Sequence, residues 1–260
     1  MRPKLYLLGL LISLLGHRLN GFAQTKTAAA NWRVSRLNGS RVYYQITAAT
    51  RPQFEQAIQH QASGIVPLAA TDTLRRVSAW TMLDLGGGPK RTKYQKLRLR
   101  LITGKIKELD YKPRVTFEEG EELFYLGKIP AIRKFLLRGN YYERSSCLLV
   151  DYATGRVDTV ESEPALSPSC RRLAVFIQGW PYERSGGVQV FAVAGRRLKK
   201  IFELNQQAWL PDDLAWTGDN ELLVQALPMA AVEKLESLPP ATVQRRRKAY
   251  LKYYRLSLRP

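Results

Sequence analysis

Residues 139–156 read GNYYERSSCLLVDYATGR, and residues 179–196 read GWPYERSGGVQVFAVAGR. When the two segments are aligned at a constant offset of 40 residues, eight of the eighteen positions are identical. The shared residues include a Tyr-Glu-Arg-Ser stretch and a closing Gly-Arg. A period of about 40 residues with short strands is typical of a β-propeller blade array. The repeat therefore predicts an all-β chain, built as a propeller-like array of small antiparallel sheets in units of about 40–50 residues.

Apolar runs bounded by turn residues divide the repeats into strands. Gly155 and Gly195 end the two tight turns, where the backbone needs positive φ. The connection over residues 228–248 is expected to hold one short helix-like piece. The predicted strands are Ile132–Leu137, Cys147–Tyr152, Arg156–Val160, Leu173–Ile177, Val188–Val193, Leu198–Leu204 and Tyr250–Leu258.

Upstream of the repeats the pattern fades. Residues 24–110 show one hairpin (Leu97–Leu101 with Lys105–Leu109) and one helix, Arg51–Gln61. We therefore predict a divergent, β-rich N-terminal region at 24–110 and a propeller-like repeat region at 111–260. Three or four visible units are fewer than a closed ring usually has, so the array is expected to be incomplete or to include a divergent N-terminal part.

The first 23 residues have the pattern of a secretory signal peptide. Arg2 and Lys4 precede an apolar run, Leu5–Leu15, and Gly21-Phe22-Ala23 forms a cleavage site. The apolar run is well short of the roughly 20 residues that span a bilayer. We therefore expect a periplasmic or secreted protein with no transmembrane segment after cleavage.

A motif in the repeats resembles a known family. Asp151-x-x-Thr154-Gly155, followed by Ser167-Pro168 and an apolar strand, is similar to the repeat of TolB-type, WD40-like propeller proteins. The resemblance covers about residues 120–227. It departs where Ser169-Cys170 replaces the usual Asp-Gly and where the second unit has Phe191 in place of Asp151. It implies an exported propeller that contacts a protein or ligand, usually without catalysis.

The residues point to no catalytic or metal site and to no cofactor. After signal cleavage His60 is the only histidine, and it falls on the predicted helix, where we expect it to face solvent. Gly86–Lys90 lacks the Gly-Lys-Ser/Thr of a phosphate-binding loop. Acidic residues at 118–122 and at Asp212-Asp213 are interpreted as surface groups. A hydrolase acting on glycans through paired carboxylates stays open as an alternative.

The two Tyr-Glu-Arg-Ser loops are the best binding candidates. Both join the same two predicted strands of successive units, so they should emerge on one face of the array. Tyr, Trp and Arg are enriched at binding hot spots. The alternative is structural, since a repeated Glu-Arg pair can pin each loop to its neighbour. The candidate residues are Tyr142, Glu143, Arg144, Trp180, Tyr182, Glu183 and Arg184.

The charge balance raises a second binding hypothesis. The formal net charge is +19, which concerns partners and solubility rather than fold. In the stretch LRLRL, Arg98 and Arg100 alternate with leucines and so share one face of a strand. Together with Lys199 and Lys200 they could present cations to a polyanion or an envelope polymer. A solvated strand face in a basic protein has the same pattern. The other partner class is an unidentified protein.

The two cysteines test the strand assignment. An oxidising compartment favours a Cys147–Cys170 disulfide. In the predicted units, however, Cys170 lies in the first turn and Cys147 starts the third strand of the preceding unit. Those ends are separated by roughly 17–20 Å, beyond a disulfide's reach of about 7 Å. The topology thus predicts two free, mostly buried thiols. It also aligns Cys170 with Asn220, at a turn position where left-handed backbone would cost cysteine about 1 kcal/mol.

Overall fold

The computed structural model describes residues 32–37, 39–61, 64–66, 95–111, 122–140, 145–177 and 186–259. Most of them form strands, and the helices and a short 3₁₀ turn at Pro130–Ile132 lie between strands. The strands are β1 Arg33–Leu37, β2 Ser40–Ala49, β3 Gln95–Arg100, β4 Ile106–Tyr111, β5 Glu122–Ile129, β6 Lys134–Asn140, β7 Ser145–Asp151, β8 Val157–Val160, β9 Ala165–Leu166, β10 Arg172–Ile177, β11 Gly186–Ala194, β12 Arg197–Gln206, β13 Trp209–Gly218, β14 Glu221–Pro228 and β15 Lys252–Arg259. The helices are α1 Arg51–His60, α2 Met229–Glu236 and α3 Pro240–Tyr250.

The strands that the structure describes form four antiparallel sheets. The first is the β3–β4 hairpin. Sheet I has the order β5-β6-β7-β8, sheet II the order β9-β10-β11-β12, and sheet III the order β13-β14-β15-β2-β1. Sheets I and II each come from one continuous stretch of chain and contain the two repeats. The predicted all-β, propeller-like array of small sheets is confirmed.

The hydrophobic core is divided among the spaces between successive sheets. One cluster packs Leu97 and Leu99 of the hairpin against Phe135 and Leu137 of sheet I. A second lies between sheets I and II, and a third fills the space between sheets II and III. Strand β13 contacts β9, β10 and β11, while β1 contacts β12 at the opposite edge. Each sheet thus buries apolar surface against its neighbours, because a sheet of four strands cannot bury enough by itself.

Sheet III is assembled from both ends of the described chain. The N-terminal strand β2 pairs antiparallel with the C-terminal strand β15, from Tyr253–Ala49 to Arg259–Tyr43. Its outer face, turned away from sheet II, carries Ala215 and Leu223, which pack against Phe54 and Ala57 of α1. The other half of that face lies under α2 and α3. The 228–248 connection therefore contains two helices rather than the single one expected, and the second starts at a proline, a residue favoured in the first helical turn.

The Asp-x-x-Thr-Gly motif closes the β7–β8 turn. Asp151 Oδ1 accepts hydrogen bonds from the N–H groups of Ala153 and Thr154 and from the Thr154 hydroxyl, at 2.8–3.0 Å. Gly155 follows at φ +69°, as predicted. In sheet II the equivalent residue is Phe191, which packs into the core between sheets I and II. The residue at this position of the motif therefore closes the turn in sheet I and packs against the core in sheet II.

A buried ammonium links sheet I to sheet II. Lys134 begins β6 and is only 1% exposed. Its Nζ donates to Asp158 Oδ2 over 3.0 Å and to the carbonyl oxygen of Arg196, in the β11–β12 turn, over 2.8 Å. Asp151 Oδ2 lies 3.8 Å away on the opposite strand. A buried charge needs partners of this kind, because removing one leaves the other uncompensated.

The Ser-Pro-Ser-Cys turn lies between β9 and β10, as predicted. Cys170 has φ +56°, the left-handed conformation that is costly for residues with a Cβ. Its N–H donates to the Ser167 carbonyl oxygen over 2.8 Å. Asp219, in the first turn of sheet III, accepts a hydrogen bond from the Ser169 N–H over 3.1 Å. Both thiols are free, Cys147 being buried and Cys170 half-buried.

Cys170→Gly is expected to raise the free energy of unfolding by about 1 kcal/mol, because glycine adopts positive φ without the Cβ clash. Urea unfolding measures the change. Asn220→Gly is the matched control, since Asn220 occupies the equivalent turn of sheet III without positive φ. A Cys170→Gly protein less stable than the wild type would show that the half-buried side chain contributes more than its backbone costs.

Asp151→Asn is expected to lower the free energy of unfolding at pH 7 by about 2 kcal/mol, because it removes a charge beside the buried Lys134 ammonium. Burial alone would raise the pKa of the Asp151 carboxyl. Hydrogen bonds from Thr154 and Ala153 and the charge of Lys134 outweigh it and hold the pKa below its usual 3.8.

The stabilising contribution of Asp151 is therefore complete above the pKa of an unfolded aspartate and disappears as the pH falls through the lower folded pKa. The stability difference between wild type and Asp151→Asn should be constant near neutral pH and narrow below about pH 4. Glu161→Gln, at an exposed position, is the control and should show little difference at any pH. An unchanged difference at about pH 3 would contradict this assignment.

Candidate functional site

A pocket of about 960 Å³ lies on the outer face of sheet III. Its floor comes from β13, β14 and the start of β15, and its walls come from the first turn of α1, from α2 and from α3. The residues of α3 that line it are Pro240, Val243, Gln244, Arg247 and Lys248, a single helical stripe at i, i+3, i+4, i+7 and i+8. The pocket therefore lies on the sheet between α1 and the α2–α3 pair.

One end of the pocket, which we call the leucine end, is apolar. On its floor Leu210 and Leu227 are direct partners in the β13–β14 pair. Leu251, just before β15, adds to the same patch. The α2–α3 pair contributes further apolar side chains above them. The lining residues of the leucine end are Leu210, Leu227, Val232, Leu235, Leu238, Val243 and Leu251.

The opposite end, the polar end, carries two ion pairs. Arg51 and Glu55 pair within the first turns of α1, with Nε and Oε1 2.6 Å apart. Arg247 of α3 pairs with Asp212 of β13. Asp212 also accepts a hydrogen bond from Gln225 Nε2 over 2.9 Å. The Arg247–Asp212 pair holds the C-terminal part of α3 to the sheet.

Tyr253 completes the polar end from β15. Its ring packs against Phe54 of α1, with centroids 5.5 Å apart. Burial raises the pKa of the Tyr253 hydroxyl, and the nearby carboxylates of Glu55 and Asp212 raise it further, against the opposing charge of Arg51. The hydroxyl therefore stays protonated and able to donate a hydrogen bond at neutral pH.

The loop residues proposed from the sequence lie outside the described residues: Tyr142, Glu143, Arg144, Trp180, Tyr182, Glu183 and Arg184. The described strands on either side show where these loops attach. One joins β6 to β7 and the other joins β10 to β11, which are the second and third strands of sheets I and II. Their binding role stays a prediction.

The four basic residues proposed from the sequence do not form one surface. Arg98 and Arg100 are exposed on the hairpin face that turns away from sheet I, and Arg98 pairs with Glu108 at 2.8 Å. Lys199 and Lys200 lie on β12 of sheet II, with sheet I between them and the hairpin. Lys200 is half-buried and pairs with Glu203 at 2.7 Å. Two of the four cations are thus already engaged with carboxylates.

No pattern in the sequence indicates the pocket. From the sequence Asp212 is predicted to be a surface group, whereas the structure places its side chain, 24% exposed, in the lining and in an ion pair. His60 is exposed on α1, as expected.

Within the described ranges no group of three or more His, Cys, Asp or Glu side chains could hold a metal ion. In the same ranges no helix is both long and apolar enough to cross a membrane.

Comparisons of the whole chain with protein-family models and with curated protein sequences returned no match. The roles of the pocket residues are therefore argued from their own geometry.

Proposed function

We propose that this chain is a binding protein in which a propeller-like array carries a ligand pocket at one end. The observation that carries the proposal is the pocket on the outer face of sheet III. Its volume of about 960 Å³ lies within the range of roughly 300–1,000 Å³ found for small-molecule sites. Such sites are mostly apolar and contain a few convergent polar groups that orient the ligand.

The division of the lining into two ends supports a ligand with an elongated apolar part. Apart from Glu236, the leucine end offers mainly aliphatic side chains, so an apolar segment placed there is removed from water, at about 25 cal/mol per Å² of apolar surface buried. The polar end offers charged groups and the Tyr253 hydroxyl. A ligand that is polar throughout would leave the leucine end unmatched.

The state of the carboxylates at the polar end supports binding rather than catalysis there. General acid–base chemistry needs a group that is free to exchange a proton with the substrate. At the polar end Glu55 is engaged by Arg51, and Asp212 by both Arg247 and Gln225. These carboxylates stabilise the walls of the pocket.

The proposal extends to an exported protein. The signal-like N-terminus supports export, and the resemblance of residues 120–227 to TolB-type repeats supports a role in contact with a ligand or protein. The two Tyr-Glu-Arg-Ser loops remain a second candidate surface for a protein partner, since both join equivalent strands of successive sheets.

Val243→Trp is expected to abolish binding of the neutral apolar fluorophore N-phenyl-1-naphthylamine, because the indole fills the leucine end. The measurement is the fluorescence enhancement on titration into the full chain. Ile102→Trp is the matched control, since Ile102 is 59% exposed in the hairpin turn and remote from the pocket. It should bind the fluorophore as the wild type does.

Leu238→Trp, in the α2–α3 connection that also lines the leucine end, should reproduce the loss, and circular dichroism should show that each variant keeps its strands. A wild-type chain that gives no enhancement would overturn the proposed pocket. So would undiminished binding by correctly folded Val243→Trp and Leu238→Trp proteins.

A further inference from the structure

The charges of the pocket are unevenly distributed along its length. Among the residues that the structure describes, the lining has three cations, Arg51, Arg247 and Lys248, and three carboxylates, Glu55, Asp212 and Glu236. Glu236, however, ends α2, four residues before α3 begins at Pro240. Since an α-helix rises 1.5 Å per residue, Pro240 lies about 10 Å from Arg247 along α3. Glu236 therefore belongs to the leucine end, away from the two ion pairs.

The polar end keeps three cations but only two carboxylates. Each carboxylate is matched by an arginine, so the uncompensated charge is the ammonium of Lys248. Lys248 is exposed, and it forms no ion pair with any residue that the structure describes. It follows Arg247 on the same turn of α3 and so stands next to the Arg247–Asp212 pair. The polar end thus presents one unmatched positive charge at the end of an apolar cavity.

We infer that the ligand is a fatty acid, a linear acyl chain lying in the leucine end with its carboxylate at Lys248. This inference rests on the proposed function and names the ligand class of the same pocket. The ammonium supplies the opposite charge, and the Tyr253 hydroxyl, on the floor of the polar end, is a hydrogen-bond donor. Charge-assisted hydrogen bonds of this kind are about twice as strong as neutral ones.

The size of the unmatched charge favours a carboxylate over a phosphate. A carboxylate carries one negative charge, which the single free ammonium balances. A phosphate monoester carries about 1.5 to 2 negative charges at pH 7. Its second charge would have to compete with Glu55 and Asp212 for arginines that are already paired. The ion-paired lining therefore favours a ligand whose headgroup carries a single negative charge.

The test compares four headgroups on one chain: dodecanoate, dodecyl phosphate, dodecan-1-ol and dodecylammonium, each below its micelle-forming concentration. Displacement of N-phenyl-1-naphthylamine from the full chain gives each affinity. Dodecanoate is expected to bind about tenfold more tightly than dodecan-1-ol, as a hydrogen bond to a charged group allows, and more tightly than the phosphate or the ammonium. From octanoate to dodecanoate the affinity should rise about fourfold per methylene group.

Lys248→Met keeps the length of the side chain but removes its charge. It should abolish the preference for dodecanoate over dodecan-1-ol by weakening the binding of dodecanoate about tenfold, with a much smaller effect on the alcohol. Arg246→Met is the matched control, because Arg246 is an exposed cation on the same helix that does not line the pocket. That variant should retain the preference.

The outcomes separate this inference from the proposed function. If the fluorophore binds and Val243→Trp abolishes its binding, but the carboxylate and the alcohol bind equally, the fatty-acid inference is wrong and the pocket stands. Tighter binding of dodecyl phosphate or of dodecylammonium also overturns it, as does an affinity that does not depend on chain length. If the fluorophore itself does not bind, both the pocket and its ligand are wrong.

Discussion

The outer face of sheet III has to be covered, and the pocket follows from how it is covered. In the middle of β13 the side chains alternate: Leu214 and Trp216 face sheet II, whereas Ala215 between them faces outward and is also fully buried. A strand buried on both faces needs a partner layer on each side. Sheet II supplies one layer. The other consists of α1 and the α2–α3 pair, two separate helical elements whose gap over the sheet is the pocket.

Polar anchors fix the register between sheets where apolar packing alone would allow sliding. Apolar contact is non-directional, so the clusters between sheets do not specify one alignment. The Lys134 ammonium does specify the alignment of sheets I and II, because it must donate to Asp158 and to the Arg196 carbonyl oxygen at the same time. Asp219 has the same role between sheets II and III, where it bonds the Ser169 N–H. Both links connect turns at the ends of strands, and such turns recur in every unit.

The parts of the fold that could be predicted from the sequence are those encoded locally. Sheets I and II could be predicted because strand, turn and strand lie within one repeat. The left-handed conformation of Cys170 could not be predicted in the same way, because Asn220 at the equivalent turn position does not adopt it. The pairing of β2 with β15 could not be predicted, because about 200 residues separate the two strands and no local sequence pattern indicates which distant strand a segment pairs with. The pocket was missed for the same reason. Its lining comes from three separate stretches of chain, and Asp212 looks like any surface acid until Arg247 is placed beside it.

Helices make a looser layer over a sheet than a further sheet would. Stacked sheets pack about 10 Å apart with interdigitating side chains, whereas α3 has no fully buried residue and meets α2 through the half-buried Val243 and Tyr250. The Arg247–Asp212 ion pair is its polar contact with the floor. Elements with few buried apolar contacts open at the lowest free-energy cost. The wall that carries Lys248 is therefore the least firmly packed part of the pocket, whereas the packing between sheets does not depend on it.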